Sequence, residues 1–152
     1  MSDHIDRPIR RAVVALNGGP SDARIVHLAC SLARPSKAEI VAVHVVEVDW
    51  SHPLDADIAG QSDTVQRILD GAEQVAERAG LRADTVLLQA RDVAAALVDE
   101  ATERDADVIV LGLPYRKRFG GDFAMGRTIP YVLKNAPCAV WVVREPMPEG
   151  AG

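Results

Sequence analysis

Apolar positions in this chain switch back and forth between two patterns. Short continuous runs have the look of buried strands, and longer stretches carry apolar side chains at the 3.6-residue period of a helix. Residues 11–16 form the first run, stopped by the turn cluster Asn17-Gly18-Gly19-Pro20. A strand, a loop and then a helix are predicted. Ser21 or Asp22 is expected to accept from the first helix amides, and Ile25, Leu28, Ala29 and Leu32 recur at helical spacing until Pro35. Residues 39–48 are almost continuously apolar and rich in β-branched side chains, the pattern of a strand covered on both faces.

A polar stretch from Glu47 to Gly60 follows, with Asp49, His52, Asp55 and Asp57, long for a connection. Val65, Ile68, Leu69, Ala72, Val75, Ala76 and Ala79 then make one stripe, with Gly80 where a C-terminal cap belongs. Residues 82–90 predict a strand, Val93 to Ala101 a helix, and 107–112 a buried strand ending on glycine. A loop over 113–125, a helix carrying Ile129, Val132, Leu133 and Ala136, and a strand over 138–143 complete the pattern.

This β-α-β-α-β-α-β-α-β order predicts an α/β fold, a doubly wound five-stranded parallel sheet with helices on both faces. One domain over 11–145 is expected, between a flexible N-terminus over 1–10 and a loose tail over 146–152 rich in Pro and Gly. In such sheets ligands bind at the carboxyl ends of the strands, where the strand order reverses, so the loops after the first and fourth strands are the places to seek chemistry.

Composition narrows the classes. At 152 residues, 48% hydrophobic and 26% charged, the chain is an ordinary globular domain rather than a disordered or collagen-like one. Its 17 Lys and Arg against 22 Asp and Glu give a formal charge of −5, a field that repels nucleic acid and anionic membrane. Six aromatics, Trp50, Tyr115, Phe119, Phe123, Tyr131 and Trp141, are too few for a single-strand stacking platform. Two cysteines, Cys30 and Cys138, make neither a disulfide scaffold nor a zinc site, and the default is two inert buried thiols. The polar start and the short apolar runs predict a soluble, cytoplasmic chain with no membrane insertion. The loop acids between Asp49 and Asp57 lack rigid metal-ligand spacing, His44 sits inside an apolar strand, and no Walker sequence or Gly-x-Ser-x-Gly elbow occurs. A catalytic centre is not expected.

The last quarter carries the candidate chemistry. Gly112 ends a strand and Gly126 opens a helix, so backbone can approach a phosphate while the amides of Arg127, Thr128 and Ile129 and the positive helix end face it. Pro130 falls in the first turn, where a missing N–H costs little. The same pattern is also that of a plain glycine-led helix start.

Gly112, Gly126, Val132-Leu133, Ala136-Pro137-Cys138 and Val140-Trp141-Val142-Val143-Arg144 resemble the C-terminal signature of the universal stress protein (UspA) family. Ala15-Leu16-Asn17-Gly18 and Val43-His44-Val45-Val46 match its first two strands. The resemblance implies a five-stranded parallel sheet, a homodimer through the last strand (Ala139 to Val143) and, in one branch, adenine nucleotide (ATP, AMP or a cyclic di-nucleotide) bound between the first and fourth strands, with Mg accompanying it. The segment 128–138 is also similar to stress-protein domains that work beside membrane transporters, which implies a transporter partner.

The nucleotide motif of that branch is partly present. Tyr115 stands where a second glycine is usual, Arg127 where serine or threonine follows the later glycine, and Asn17 where an acid ends the first strand. Arg91, Arg116, Lys117, Arg118 and Arg127 nonetheless bring five cations to the carboxyl end of the sheet of an acidic protein. Arginine forks match phosphate. The resulting expectation is a sensor that contacts phosphate through Gly112, Arg116, Gly126, Arg127 and Thr128, and ribose and base through Asn17 and the backbone near Val45. The alternative is a homodimer that binds no nucleotide and docks on a protein partner such as a transporter, with Tyr115 filling the phosphate path. Slow ATP hydrolysis is a third reading that lacks an identifiable base.

Overall fold

The computed structural model describes residues 8–56, 62–115, 126–147 and 149. The expected flexible segments 1–10 and 146–152 fall largely outside them, as do Arg116, Lys117 and Arg118. Five strands, β1 (Arg11–Leu16), β2 (Glu39–Glu47), β3 (Ala83–Ala90), β4 (Val108–Leu113) and β5 (Ala139–Arg144), alternate with four helices. These are α1 (Ser21–Ala33), α2 (Ser62–Arg78), α3 (Val93–Glu103) and α4 (Thr128–Asn135). The sheet is parallel, in the order β3-β2-β1-β4-β5.

Alternate residues of each strand face opposite layers. Ala12, Val14 and Leu16 of β1 join Ile40, Ala42, Val108 and Val110 against Ile25, Val26 and Ala29 of α1 and Leu69, Ala72 and Ala76 of α2. Val13 with Val41, Val43, Ile109 and Leu111 packs on Leu97, Val98 and Ala101 of α3 and Ile129 and Val132 of α4. Two-sided burial explains the continuous apolar runs, and each fully buried Val or Ile contributes roughly 1.5–3 kcal/mol.

From β1 the chain winds out to β2 and β3, then returns to the other side of β1 for β4 and β5. Here β1 and β4 pair only from Ala12↔Val108 to Val14↔Val110, although β1 runs on to Leu16 and β4 to Leu113. The two strands part at their carboxyl ends, which opens the sheet where its order reverses.

Several local expectations shift. The start of α1 has Pro20 as its N-cap with no side-chain cap bond. Ser21 Oγ donates to Glu145 Oε1 instead, and the Asp22 carboxylate turns back to accept from the amides of Asn17 and Gly18 at 3.0 and 2.8 Å. Pro35 sits in a 3₁₀ turn, Arg34–Ser36, that follows α1. Gly80 caps α2 as expected: its φ is +78°, and the Leu81 amide donates back to Ala76 O at 2.9 Å. At α3 the cap is Asp92, which accepts from Ala95 N at 3.1 Å, and Arg91 stands one residue before it.

Candidate functional site

The parting of β1 and β4 leaves a cleft of about 370 Å³, at the lower end of the size range of small-molecule sites. Its floor is apolar, with Ala15, Ile25, Leu97, Leu111 and Ile129, while Asn17, Ser21, Asp22, Gly126 and Thr128 supply the polar groups. Residues on both faces of the sheet therefore meet at its open end.

On the α1 side the turn after β1 closes on itself. Asn17 Oδ1 accepts from Gly19 N at 2.7 Å, and Gly18 takes a φ of +82° with no room beside it, since a Cβ there would lie 3.0 Å from Ile68 Cδ1. Burial raises the Asp22 carboxyl above the ordinary aspartate value, opposed by the two amides that donate to it. Gly112 also serves packing: a Cβ there would come 3.4 Å from Ile25 Cγ2 and 3.5 Å from Ser21 Cβ, so α1 lies close over β4.

On the α4 side, Gly126 has a φ of +69°, and among the described residues nothing lies within 4 Å of where a Cβ would stand. Arg127 is the N-cap of α4 without a side-chain cap bond, and the first helical bond runs from Tyr131 N to Arg127 O at 3.3 Å. The amides of Thr128 and Ile129 precede that bond at the positive end of the helix. Pro130 is the third helical residue, within the first turn.

The predicted residues divide clearly. Asn17, Gly112, Gly126 and Thr128 line the cleft. Arg127 lies just outside it, in an adjoining groove shared with Arg91 and Thr128. Val45 is buried in β2, one residue beyond the partner of Leu16, and is not among the residues lining the cleft. Tyr115 does not line it either: its ring lies over Arg144, 5.4 Å from guanidinium carbon to centroid, and its amide donates to Glu145 Oε2 at 3.3 Å. The tyrosine that the alternative reading put in the phosphate path packs on the end of β5.

Sequence reasoning passed over Asp22 and Ser21 as cleft residues, Glu145 as the anchor of Ser21, and Trp50 beside Arg91. An acid five positions after a strand-ending Asn was the available signal for Asp22; Glu145 gave none, since its partner Ser21 is 124 residues away. His44 Nδ1 lies 3.1 Å from Leu16 O, at the junction of β2 with the turn. Burial pushes both Cys30 and Cys138 thiols up, towards the protonated form. Among the described residues no group of three or more His, Cys, Asp or Glu is placed to hold a metal, and no helix is long and apolar enough to cross a membrane.

Residues 8–144 match the family model described as the universal stress protein family. The chain belongs to that family. This universal stress protein is also 30% identical over 136 residues to the sensor protein KdpD of Mycobacterium tuberculosis, covering 90% of the chain. It spans only 14% of the length of that relative. Among solved structures, a universal stress protein of Archaeoglobus fulgidus in complex with dAMP superposes with a TM-score of 0.69 at 22% identity, covering 90% of this chain and 98% of that one. A universal stress protein of Arabidopsis thaliana with AMP bound gives 0.67 at 17% identity, covering 93% and 97%. At these identities the likeness is one of fold.

Proposed function

We propose that this universal stress protein is a regulatory sensor that binds an adenine nucleotide in the cleft between β1 and β4 and signals by its occupancy. The observation that carries the reading is the parted end of these two strands: a slot of about 370 Å³ with an apolar floor, next to the start of α4, whose N-cap Arg127 makes no side-chain cap bond. The slot supplies a dry surface for a purine ring, and Asn17 with Asp22 supplies hydrogen-bonding groups at the α1 side. Asp22 also fixes the orientation. A carboxylate there repels phosphate, so phosphate goes to the opposite wall, where Gly126 carries no side chain and the Thr128 and Ile129 amides and Arg127 favour an anion. Relatives of the same fold with dAMP and AMP bound support the same ligand class.

Tyr115 sits against Arg144 rather than in the cleft, which favours an open site over the alternative of a domain closed to nucleotide. Any magnesium would be carried on the phosphates of its nucleotide, because the described cleft residues offer it no acidic cluster. The one carboxylate among the described cleft residues, Asp22, is held by the Asn17 and Gly18 amides on the wall opposite the proposed phosphate, and binding itself is the proposed output. The proposed assembly is a homodimer through the exposed edge of β5, Ala139 to Val143. Its proposed partner is a component of a membrane transport or sensor system, a reading supported by the match to part of a sensor protein. The cytoplasm is the proposed compartment.

The test is calorimetric titration with AMP. Arg127→Glu places a carboxylate beside the helix start and is expected to weaken AMP at least tenfold with melting temperature and circular dichroism unchanged. Equal affinity in the variant would remove Arg127 from the site.

A further inference from the structure

The cleft does not end at Thr128. Val93 and Thr128 also line a second, shallower groove of about 630 Å³, whose other walls are Glu47 to Trp50, Arg91, Asp92, Ala94 and Arg127. A mononucleotide held as proposed above reaches this groove only at Arg127 and Thr128.

At its far end stands Trp50, 84% exposed. An indole is a large apolar surface to leave in water, and this one is held in place. The Arg91 guanidinium lies 4.6 Å from the ring centroid, and its Nη1 donates to Val48 O at 3.2 Å and to Asp49 O. Carbonyls, not carboxylates, fix this arginine, so its charge is not neutralised by them. Among the described residues neither Arg91 nor Arg127 forms an ion pair. Two of the groove's three acids are engaged locally: Asp92 caps α3, and Asp49 accepts from Ser51 and lies 3.1 Å from His52 Nδ1. Glu47 is left at the exposed end of β2.

A pinned aromatic plate, two arginines and one acceptor carboxylate, continuous with a phosphate-sized helix start, form a place for a second nucleoside. We propose that the groove is a second binding region for a ligand made of two nucleosides joined through phosphate. The first nucleoside lies in the cleft and the linking phosphates lie at Thr128 and Arg127. The second base then stacks on the face of Trp50 away from Arg91, with its ribose hydroxyls towards Glu47. This inference rests on the nucleotide reading of the cleft.

Calorimetric titration of the full chain with AMP, ADP and diadenosine diphosphate tests it, in wild type, Trp50→Ala and Trp50→Phe. A stacked second base is expected to make diadenosine diphosphate bind at least tenfold more tightly than ADP. Trp50→Ala is expected to bring the two within about twofold while AMP affinity stays unchanged, and Trp50→Phe to keep part of the gain. Equal binding of ADP and diadenosine diphosphate by wild type, or a gain that survives in Trp50→Ala, overturns the second region and leaves the cleft standing. Failure of all three ligands to bind overturns the cleft reading and this inference with it.

Discussion

The turn after β1 shows how single residues set the edge of the cleft. Gly18 sits at a φ of +82° with Ile68 against it, so Gly18→Ala brings both left-handed strain and a contact at 3.0 Å. The variant is expected to lose about 1–2 kcal/mol in denaturant unfolding, and an unchanged midpoint would show that the turn relaxes freely. In the adjoining groove, the Asp49 carboxyl is pulled down to about 2, first by the Ser51 hydroxyl and then by His52. A carboxyl whose folded value is depressed adds stability above its ordinary value of 3.8, and that stability is lost as pH falls towards about 2. Ser51→Ala is expected to move the Asp49 midpoint up towards 3.8 in carbon-detected NMR titration; a midpoint that stays near 2 would assign the shift elsewhere. Asp22 has the opposite sign. Its value is raised by burial, so its ionisation costs stability as pH rises from the ordinary aspartate range.

Among the elements, the contact of α1 with β4 bears most directly on the cleft. A Cβ at Gly112 would already be in van der Waals contact with Ile25 and Ser21, so a side chain as large as leucine has to displace them or fill the cleft. Gly112→Leu is expected to lower stability by about 1–3 kcal/mol through overpacking, read by thermal unfolding. A stability equal to wild type would mean that α1 has room to move or that the leucine fills the cleft. The elements themselves were legible in the sequence: buried parallel strands write continuous apolar runs, and helices such as α2 write stripes that end on a capping glycine. Boundaries moved by a residue, as at β4 and β5, because a strand ends where its neighbour's hydrogen bonds end. Asp22 was misread for a physical reason. The same carboxylate suits a helix cap or a turn clamp, and which it becomes depends on the geometry that Pro20 adopts. Gly112 and Gly126 stand out in the sequence because one ends a strand and the other opens a helix, whereas Trp50 does not, since an exposed aromatic in a polar stretch belongs to no period. Tyr115 turned away because a distant carboxylate, Glu145, and the neighbouring Arg144 hold it.

At the scale of the whole molecule, an acidic chain of formal charge −5 presents two described cations, Arg91 and Arg127, in the groove beside the cleft. The net field is unfavourable to anions, so any anion binding depends on these local groups. The proposed dimer has its own test. Trp141 lies on the edge strand β5, half-buried against the α1 and α2 face. Trp141→Glu is expected to give a monomer by light scattering, and a dimer that persists would place the interface elsewhere. The central claim is that the parted ends of β1 and β4 hold a nucleotide. It is tested most directly by melting the purified chain, freed of carried-over ligand by unfolding and refolding, with and without AMP, and with adenosine and inorganic phosphate as controls. At a hundredfold excess over the dissociation constant, AMP is expected to add about 2.7 kcal/mol, a rise of roughly 5–10 °C for a chain of this size. The two halves given separately are expected to do much less. Identical melting curves with and without millimolar AMP would contradict the account.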